Sequence, residues 1–127
     1  MRALLDTHAF LWAISEDKRL SRSAQQVFTG PNDLFLSVAS VWEILIKVRT
    51  GKLSLPQPTG AYVVKELVQN QIEVLPVMLD HVLQIESLAI HHRDPFDRIL
   101  IAQGVEESLP IVTNDPQFQN YPIELIW

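Results

Sequence analysis

Residues 91–103 are His91-His92-Arg93-Asp94-Pro95-Phe96-Asp97-Arg98-Ile99-Leu100-Ile101-Ala102-Gln103, a pattern typical of a turn that becomes a helix. Asp94 precedes a proline and an apolar run, as an N-cap residue does, and Pro95 suits the first helical position because that position needs no N–H. Asp97 follows in the first turn, where a carboxylate favours the positive end of the helix dipole. The apolar residues beyond Asp97 predict a largely buried helix.

The two acids at the start of this helix have two interpretations. Asp94 and Asp97 are three residues apart, so they can form a capping box whose only role is to close the helix end. Alternatively, Asp97 points into a cleft and binds a cation. The segment alone leaves both open, and the rest of the chain has to decide.

The overall composition narrows the classes of protein. A chain of 127 residues predicts a single domain over residues 1–127, and an apolar fraction of 47% supports a solid core. The absence of cysteine excludes disulfides, thiolate zinc sites and cysteine nucleophiles, and it fits the cytoplasm, where we expect the protein. We find neither a signal peptide nor an apolar run of membrane-spanning length, so no membrane association is expected. The net charge of −5 argues against a simple electrostatic nucleic-acid binder and leaves open an enzyme with acids gathered around metal ions.

Two predicted strands are each followed by an acid. Arg2–Leu5 is a short apolar run that precedes Asp6 and a helix, and the run 110–113 precedes Asp115. In open α/β sheets, ligands collect outside the carboxyl ends of the strands. Each of these acids can equally be an N-cap without another role.

Glu43 is the single acid inside a strongly apolar predicted helix, residues 38–48, which follows a predicted strand over 34–37. A carboxylate among apolar side chains is costly unless it is paired or bound to metal. Lys47 lies four residues further on, in the favourable order for an ion pair, and this pair is the alternative to a metal site.

The remaining segments continue the alternation of helices and strands. Apolar spacing and end signals predict helices over 21–27, 59–71 and 79–90, and strands over 72–77 and 123–127. Gly51 is predicted to end the helix that contains Glu43. A further apolar stretch, Phe10 to Ile14, is expected to expose some of its surface to another chain.

The four acids at these positions suggest one reaction class. If the first and fourth strands are neighbours in a parallel sheet, Asp6, Glu43, Asp97 and Asp115 can converge on one crevice. Oxygen ligands without a histidine cluster favour Mg²⁺ or Mn²⁺, and such a site supports hydrolysis of phosphodiesters. With only four glycines, the chain has no glycine-rich phosphate loop.

At these residues the sequence resembles a known family, the PIN-domain proteins, and in particular the VapC-like toxins of type II toxin–antitoxin pairs. The matching segments are spread in order over nearly the whole chain: Leu4-Leu5-Asp6-Thr7-His8, Ser37-Val38-Ala39-Ser40-Val41-Trp42-Glu43-Ile44, His92-Arg93-Asp94-Pro95-Phe96-Asp97-Arg98 and Ile111-Val112-Thr113-Asn114-Asp115. The resemblance implies a three-layer α/β/α sandwich around a central, mainly parallel sheet. It also implies that Asp6, Glu43, Asp97 and Asp115 form the catalytic metal site of an endoribonuclease.

The resemblance implies further roles and partners. Thr7, Ser40 and Asp94 match the family as well, and we expect orienting or capping roles for them rather than metal ligation. A homodimer and inhibition by a small antitoxin protein are also implied. The basic residues that can position RNA phosphates, without reading sequence, are Lys47, Arg49, Lys52, Arg93 and Arg98.

Other classes of protein remain as alternatives. A phosphotransferase with an aspartyl nucleophile normally has a second acid two residues after the first, and His8 occupies that position here. A catalytically silent binding module would not need the four acids. A housekeeping PIN nuclease in RNA processing is the closest alternative, and a short upstream reading frame encoding a DNA-binding protein would favour the toxin instead.

Overall fold

A computed structural model describes residues 1–127 and contains a five-stranded parallel sheet in the order β3-β2-β1-β4-β5. The strands are β1 (Arg2–Leu5), β2 (Asp33–Ser37), β3 (Ile72–Leu75), β4 (Ile111–Val112) and β5 (Leu125–Ile126). The helices are α1 (Thr7–Ile14), α2 (Arg22–Thr29), α3 (Val38–Arg49), α4 (Thr59–Gln69), α5 (Leu79–Gln84) and α6 (Pro95–Glu107). Two 3₁₀ turns cover Ile85–Ser87 and Pro116–Asn120.

The strand order places β1 at the point where the chain reverses its direction across the sheet. From β1 the chain moves outward through β2 to β3, and then returns to pair β4 with the other side of β1. Leu5, the last residue of β1, lies opposite Val112, the last residue of β4. The predicted neighbours are therefore confirmed, and their carboxyl ends flank the crevice where open α/β sheets bind ligands.

Alternate residues of the strands supply two separate cores, one on each face of the sheet. Ala3 and Leu5 pack with α1–α4 in one cluster, whereas Leu4 packs with α6 and the C-terminal segments in the other. This alternation follows from the two-residue period of a strand. The predicted three-layer α/β/α architecture is confirmed.

The helix predicted over residues 79–90 is shorter than expected. Its α-helical part ends at Gln84, and after the 3₁₀ turn the chain is extended at Leu88. The reason is a set of long-range hydrogen bonds that a sequence pattern does not show. The Tyr121 hydroxyl lies 2.8 Å from the carbonyl of Ala89, and it accepts hydrogen bonds from the backbone N–H groups of His91 and His92 at 3.0 and 2.8 Å.

The ends of the other elements differ from the predicted ends by only a few residues, and their caps explain where they stop. Ser21 caps α2, as predicted, and accepts a hydrogen bond from the N–H of Ala24. Gly51 follows the end of α3 with φ of 78°, the left-handed conformation that glycine adopts without cost. None of the helices has the length and apolar character that crossing a bilayer requires.

The exposed apolar surface is not where the sequence indicated. Phe10 is fully buried, Leu11 and Ile14 are half-buried against the core, and the half-buried Trp12 packs edge-on against Trp127. A more exposed apolar face surrounds Trp42, of which 62% is exposed. We call this surface the α3–α5 face; its groove, of about 660 Å³, is lined by Val38, Ala39, Val41, Trp42, Leu45, Val77, Val82, Pro95, Phe96 and Ile99.

Candidate active site

Asp6 lies directly after β1 and caps α1. One oxygen of its carboxylate accepts a hydrogen bond from the N–H of Ala9 at 2.6 Å, and only 5% of the residue is exposed. Burial raises the pKa of Asp6 above its ordinary value, while a hydrogen bond from the Thr113 side chain and the Ala9 N–H oppose this rise. The Asp115 charge adds to the rise, which places that acid within electrostatic reach. Asp6 is therefore both an N-cap and a buried acid.

Glu43 reaches the same crevice from the middle of α3. Its Oε1 lies 2.7 Å from the Thr7 hydroxyl, which in turn lies 2.9 Å from the Ser40 hydroxyl. Because Thr7 has a single proton, it donates to the carboxylate and can accept from Ser40. Lys47 Nζ lies 3.0 Å from Glu43 Oε2, so the ion pair considered as the alternative to a metal site is present. The carboxylate is buried and held from both sides.

The start of α6 separates the roles of its two acids. Asp94 Oδ1 accepts hydrogen bonds from the N–H groups of Phe96 and Asp97, at 2.9 and 3.1 Å. A capping box would also require Asp97 to accept from the Asp94 N–H. That N–H is instead directed to His92 Nδ1, at 3.3 Å. Asp94 alone caps the helix, and the Asp97 carboxylate is directed away from it.

His92 joins Asp97 to Asp115, a role that the sequence analysis did not predict. Its Nε2 lies 2.9 Å from Asp97 Oδ2 and 3.1 Å from Asp115 Oδ2. Only 7% of His92 is exposed, and its ring packs edge-on against Phe118 with 5.8 Å between ring centroids. The other oxygen of Asp115 accepts a hydrogen bond from the N–H of Gln117 at 2.9 Å. A histidine two residues before the Asp94 cap was the one available signal.

The electrostatics of Asp97 place it within reach of the charges of several other acids. Burial is the main cause that raises its pKa, to about 7, and the charge of Asp94 is the next. His92 lowers this pKa, whereas the charges of Glu43 and Asp6 raise it further. Asp97 thus faces acids from the start of α1 and from α3, and His92 connects it to Asp115 after β4. Thr113, buried at the end of β4, is a further site residue that the sequence analysis did not single out.

The five basic residues predicted to contact RNA occupy different environments. Lys47 lies inside the crevice on Glu43. The guanidinium of Arg98 donates to the carbonyls of Ala89 and His92, at 3.1 and 3.2 Å, and so supports the segment before α6. The three residues of this group that are exposed are Arg49, Lys52 and Arg93.

Comparison with protein-family models identifies residues 3–124 as a PIN domain. The chain belongs to the PIN-domain family. This confirms the membership expected from the resemblance of the four segments that carry Asp6, Glu43, Asp97 and Asp115.

Individual PIN-domain relatives are similar over most of their length. Ribonuclease VapC22 of Mycobacterium tuberculosis is 26% identical over 120 residues, which cover 93% of this chain and 90% of the relative. VapBC2 of Rickettsia felis, solved with a DNA fragment from its promoter, has a chain with a TM-score of 0.68 at 16% identity, over 98% of this chain and 97% of that one. DNA-bound VapBC of Salmonella typhimurium gives a TM-score of 0.69 at 16% identity, over 98% and 96% of the two chains. At these identities the structural likeness shows the shared fold.

Proposed function

We propose that this PIN-domain protein is an endoribonuclease that uses Mg²⁺, or Mn²⁺ in its place, to hydrolyse phosphodiester bonds of RNA. The observation that carries the proposal is a set of acids on separate elements that act on one another: the charges of Asp6 and Glu43 raise the pKa of Asp97, and His92 lies between Asp97 and Asp115. The ribonuclease name of a relative that matches 93% of this chain supports the same activity.

The donor set fits a small divalent cation. Carboxylate oxygens are the ligands that Mg²⁺ and Mn²⁺ prefer in proteins. These acids repel one another, and this repulsion contributes to the raised pKa of Asp97. A bound cation would relieve the repulsion. We therefore assign Asp6, Glu43, Asp97 and Asp115 as the residues that would hold it.

A cation bound here would supply Lewis-acid stabilisation of the charge that develops on a phosphodiester and would make water a better nucleophile. The protein's own groups fix the geometry of the crevice. The Thr7 hydroxyl orients one oxygen of Glu43, and Lys47 holds the other. Asp94 fixes the first turn of α6, from which Asp97 projects. On these contacts we propose orienting roles for Thr7, Ser40 and Asp94.

We propose single-stranded RNA as the substrate, with basic residues near the acids as its backbone contacts. Lys47 is at the acids and is 31% exposed at its side chain, so it can contact a phosphate next to the scissile bond. Arg49, Lys52 and Arg93 are exposed and are proposed as the remaining backbone contacts. Arg98 is engaged with carbonyl groups, and we assign it a supporting role in the loop before α6.

The direct test is cleavage of a labelled single-stranded RNA by the purified protein. We expect cleavage with Mg²⁺ or Mn²⁺, and we expect EDTA to stop it. Glu43→Gln should abolish cleavage, whereas Glu106→Gln, which changes an exposed glutamate of α6 in the same way, should not. Cleavage that persists in excess chelator would refute the metal-dependent mechanism.

We further propose that the nuclease is the toxin of a toxin–antitoxin pair and is inhibited by a small partner protein. The solved relatives named VapBC support this assignment, because their chains share this fold over 98% of its length. Expression alone should slow cell growth, and co-expression of a protein encoded immediately upstream should restore it. Equal toxicity from Glu43→Gln would show that the growth effect is not catalysis, and harmless expression of an active enzyme would favour a housekeeping nuclease.

A homodimer is part of the same proposal, and the α3–α5 face is the surface we assign to it. Its groove carries no polar or charged lining residue, and Trp42 packs edge-on against Phe96 with 62% of its own surface exposed. Contiguous exposed apolar surface of this kind marks an interaction site. Trp42→Glu should convert a dimer to a monomer in sedimentation experiments, and a monomeric wild type would refute the assignment.

A further inference from the structure

His92 is fixed from several directions in the centre of the acidic crevice. Its backbone N–H donates to the Tyr121 hydroxyl at 2.8 Å, and its carbonyl accepts from Arg98 at 3.2 Å. Its ring lies edge-on to Phe118. These contacts fix the backbone of His92, and the packing against Phe118 holds its ring beside Asp97 and Asp115.

One hydrogen bond defines which nitrogen of the imidazole carries the proton. The backbone N–H of Asp94 can only donate, and it is directed at His92 Nδ1 at 3.3 Å. Nδ1 is therefore the acceptor, and Nε2 carries the proton in the neutral ring. The Nε2–H group then donates to Asp115 Oδ2 at 3.1 Å, and Asp97 Oδ2 is in electrostatic contact with the same nitrogen at 2.9 Å.

The same hydrogen bond argues against His92 as a metal ligand, although its position beside two acids suggests that role. His92, Asp97 and Asp115 offer potential ligand atoms that all lie within 4.8 Å of one another. A histidine that binds a metal through Nε2 carries its proton on Nδ1 and donates it to an acceptor. Here Nδ1 faces the Asp94 N–H, so ligation would bring two N–H groups against each other.

We infer that His92 is a positioning residue of the metal site, whose Nε2–H holds the Asp115 carboxylate against Asp97 and leaves the cation to be bound by oxygen alone. The acids come from separate elements, since Asp97 belongs to α6 and Asp115 follows β4. His92 is the one side chain that joins them directly. This inference rests on the metal site proposed above, and it adds to it a residue that selects for hard, oxygen-binding cations.

The first measurement uses the wild-type protein loaded with Mn²⁺. Pulsed electron paramagnetic resonance detects the magnetic coupling between Mn²⁺ and a nitrogen bound to it, and ¹⁵N-labelled histidine identifies that nitrogen. We expect no coupling from a directly bound imidazole. A coupling that changes with histidine labelling and is lost in His92→Gln would show that His92 is a ligand and would overturn the inference.

The second measurement compares two substitutions by calorimetric titration of Mg²⁺ and Mn²⁺. His92→Ala removes the donor and should weaken both ions by about 10–100-fold, the range typical for groups that orient metal ligands. The side chain of Gln places an amide N–H near the position of Nε2, so His92→Gln should restore most of the affinity for both ions. A loss in His92→Gln as large as in His92→Ala would contradict the role of His92 as a donor to Asp115.

Melting curves in EDTA give a readout that is independent of metal. If His92 acts through Asp115, His92→Ala should lower the melting temperature less in an Asp115→Ala background than in wild type. An equal loss of melting temperature in both backgrounds would refute the proposed contact between His92 and Asp115. A wild type that binds neither cation would instead refute the proposed function, so the two failures can be distinguished.

Discussion

Removing the charge of Asp97 should make the metal-free protein more stable, although it removes a residue of the active site. The folded structure holds this carboxyl at a pKa of about 7, against an ordinary value of 3.8. A pKa that is higher by one corresponds to about 1.4 kcal/mol, so the charged form of Asp97 is disfavoured by about 4 kcal/mol near neutral pH. Asp97→Asn also weakens the contact with His92, and we expect a net gain of about 1–3 kcal/mol in the free energy of unfolding.

The effect has a defined pH dependence. Between about pH 4 and pH 7 the folded state holds a proton on Asp97 that the unfolded state has released. The stability of the metal-free wild type should therefore fall as the pH rises through this window. Below this window Asp97 is protonated in both the folded and the unfolded state. Above it Asp97 is charged in both states, and the full cost of burying that charge lowers the stability. Asp97→Asn should show a shallower fall over the same range.

The response to metal should be opposite. A ligand that binds only the folded state stabilises it by mass action, by about 2.7 kcal/mol at a concentration one hundred times its dissociation constant. Mg²⁺ at millimolar concentration should therefore raise the melting temperature of wild type and change that of Asp97→Asn little. The variant should also fail to cleave RNA.

The neighbouring acid provides a matched control. Asp94→Ala removes the N-cap of α6 and should cost about 0.5–2 kcal/mol with or without metal, while leaving measurable cleavage. Asp94→Asn keeps a capping oxygen and should cost less. If Asp97→Asn melts clearly below wild type in EDTA and still cleaves RNA, Asp97 is a structural residue and the proposed metal site is wrong.

Two further predictions test the scaffold around the crevice. Tyr121→Phe removes the hydroxyl that contacts Ala89, and it should cost about 1–3 kcal/mol in urea unfolding; an unchanged midpoint would contradict the role of this hydroxyl. Gly104→Ala places a methyl group 2.9 Å from Ile111 Cδ1 and should lower the melting temperature, whereas Gly60→Ala, which meets nothing within 4 Å, should raise it slightly. Stabilisation by both would show that the core beside β4 is loosely packed.

The sequence predicted the fold because its strands and helices have consistent local signals. The sequence predicted a strand followed by an acid at β1, a proline in the first turn of α6 and a glycine at the end of α3. The structure contains each of these features at the predicted position. What the sequence could not predict was the extended segment after α5. That segment depends on the hydroxyl of Tyr121, which contacts Ala89 across 32 residues of chain. No local pattern records such a contact.

The candidate site was predicted to a similar extent, and for a related reason. Asp6 and Asp115 were identified from their positions after strands, and both also cap the elements that follow. From the sequence alone, helix capping and catalysis were alternative roles for each of these acids. A carboxylate has two oxygens, however, so one residue can have both roles. His92 was missed because its role depends on distances to Asp97 and Asp115, and the latter is 23 residues away.

The contacts of the acids explain how four carboxylates can be gathered before any cation arrives. Unpaired charges buried together would cost several kcal/mol each. Here Glu43 is paired with Lys47, while the Nε2–H of His92 donates to Asp115 and lies beside Asp97. Asp6 accepts a backbone N–H from its own helix. These contacts offset only part of the repulsion between the acids, because the pKa of Asp97 is still raised. A divalent cation would relieve the repulsion that remains.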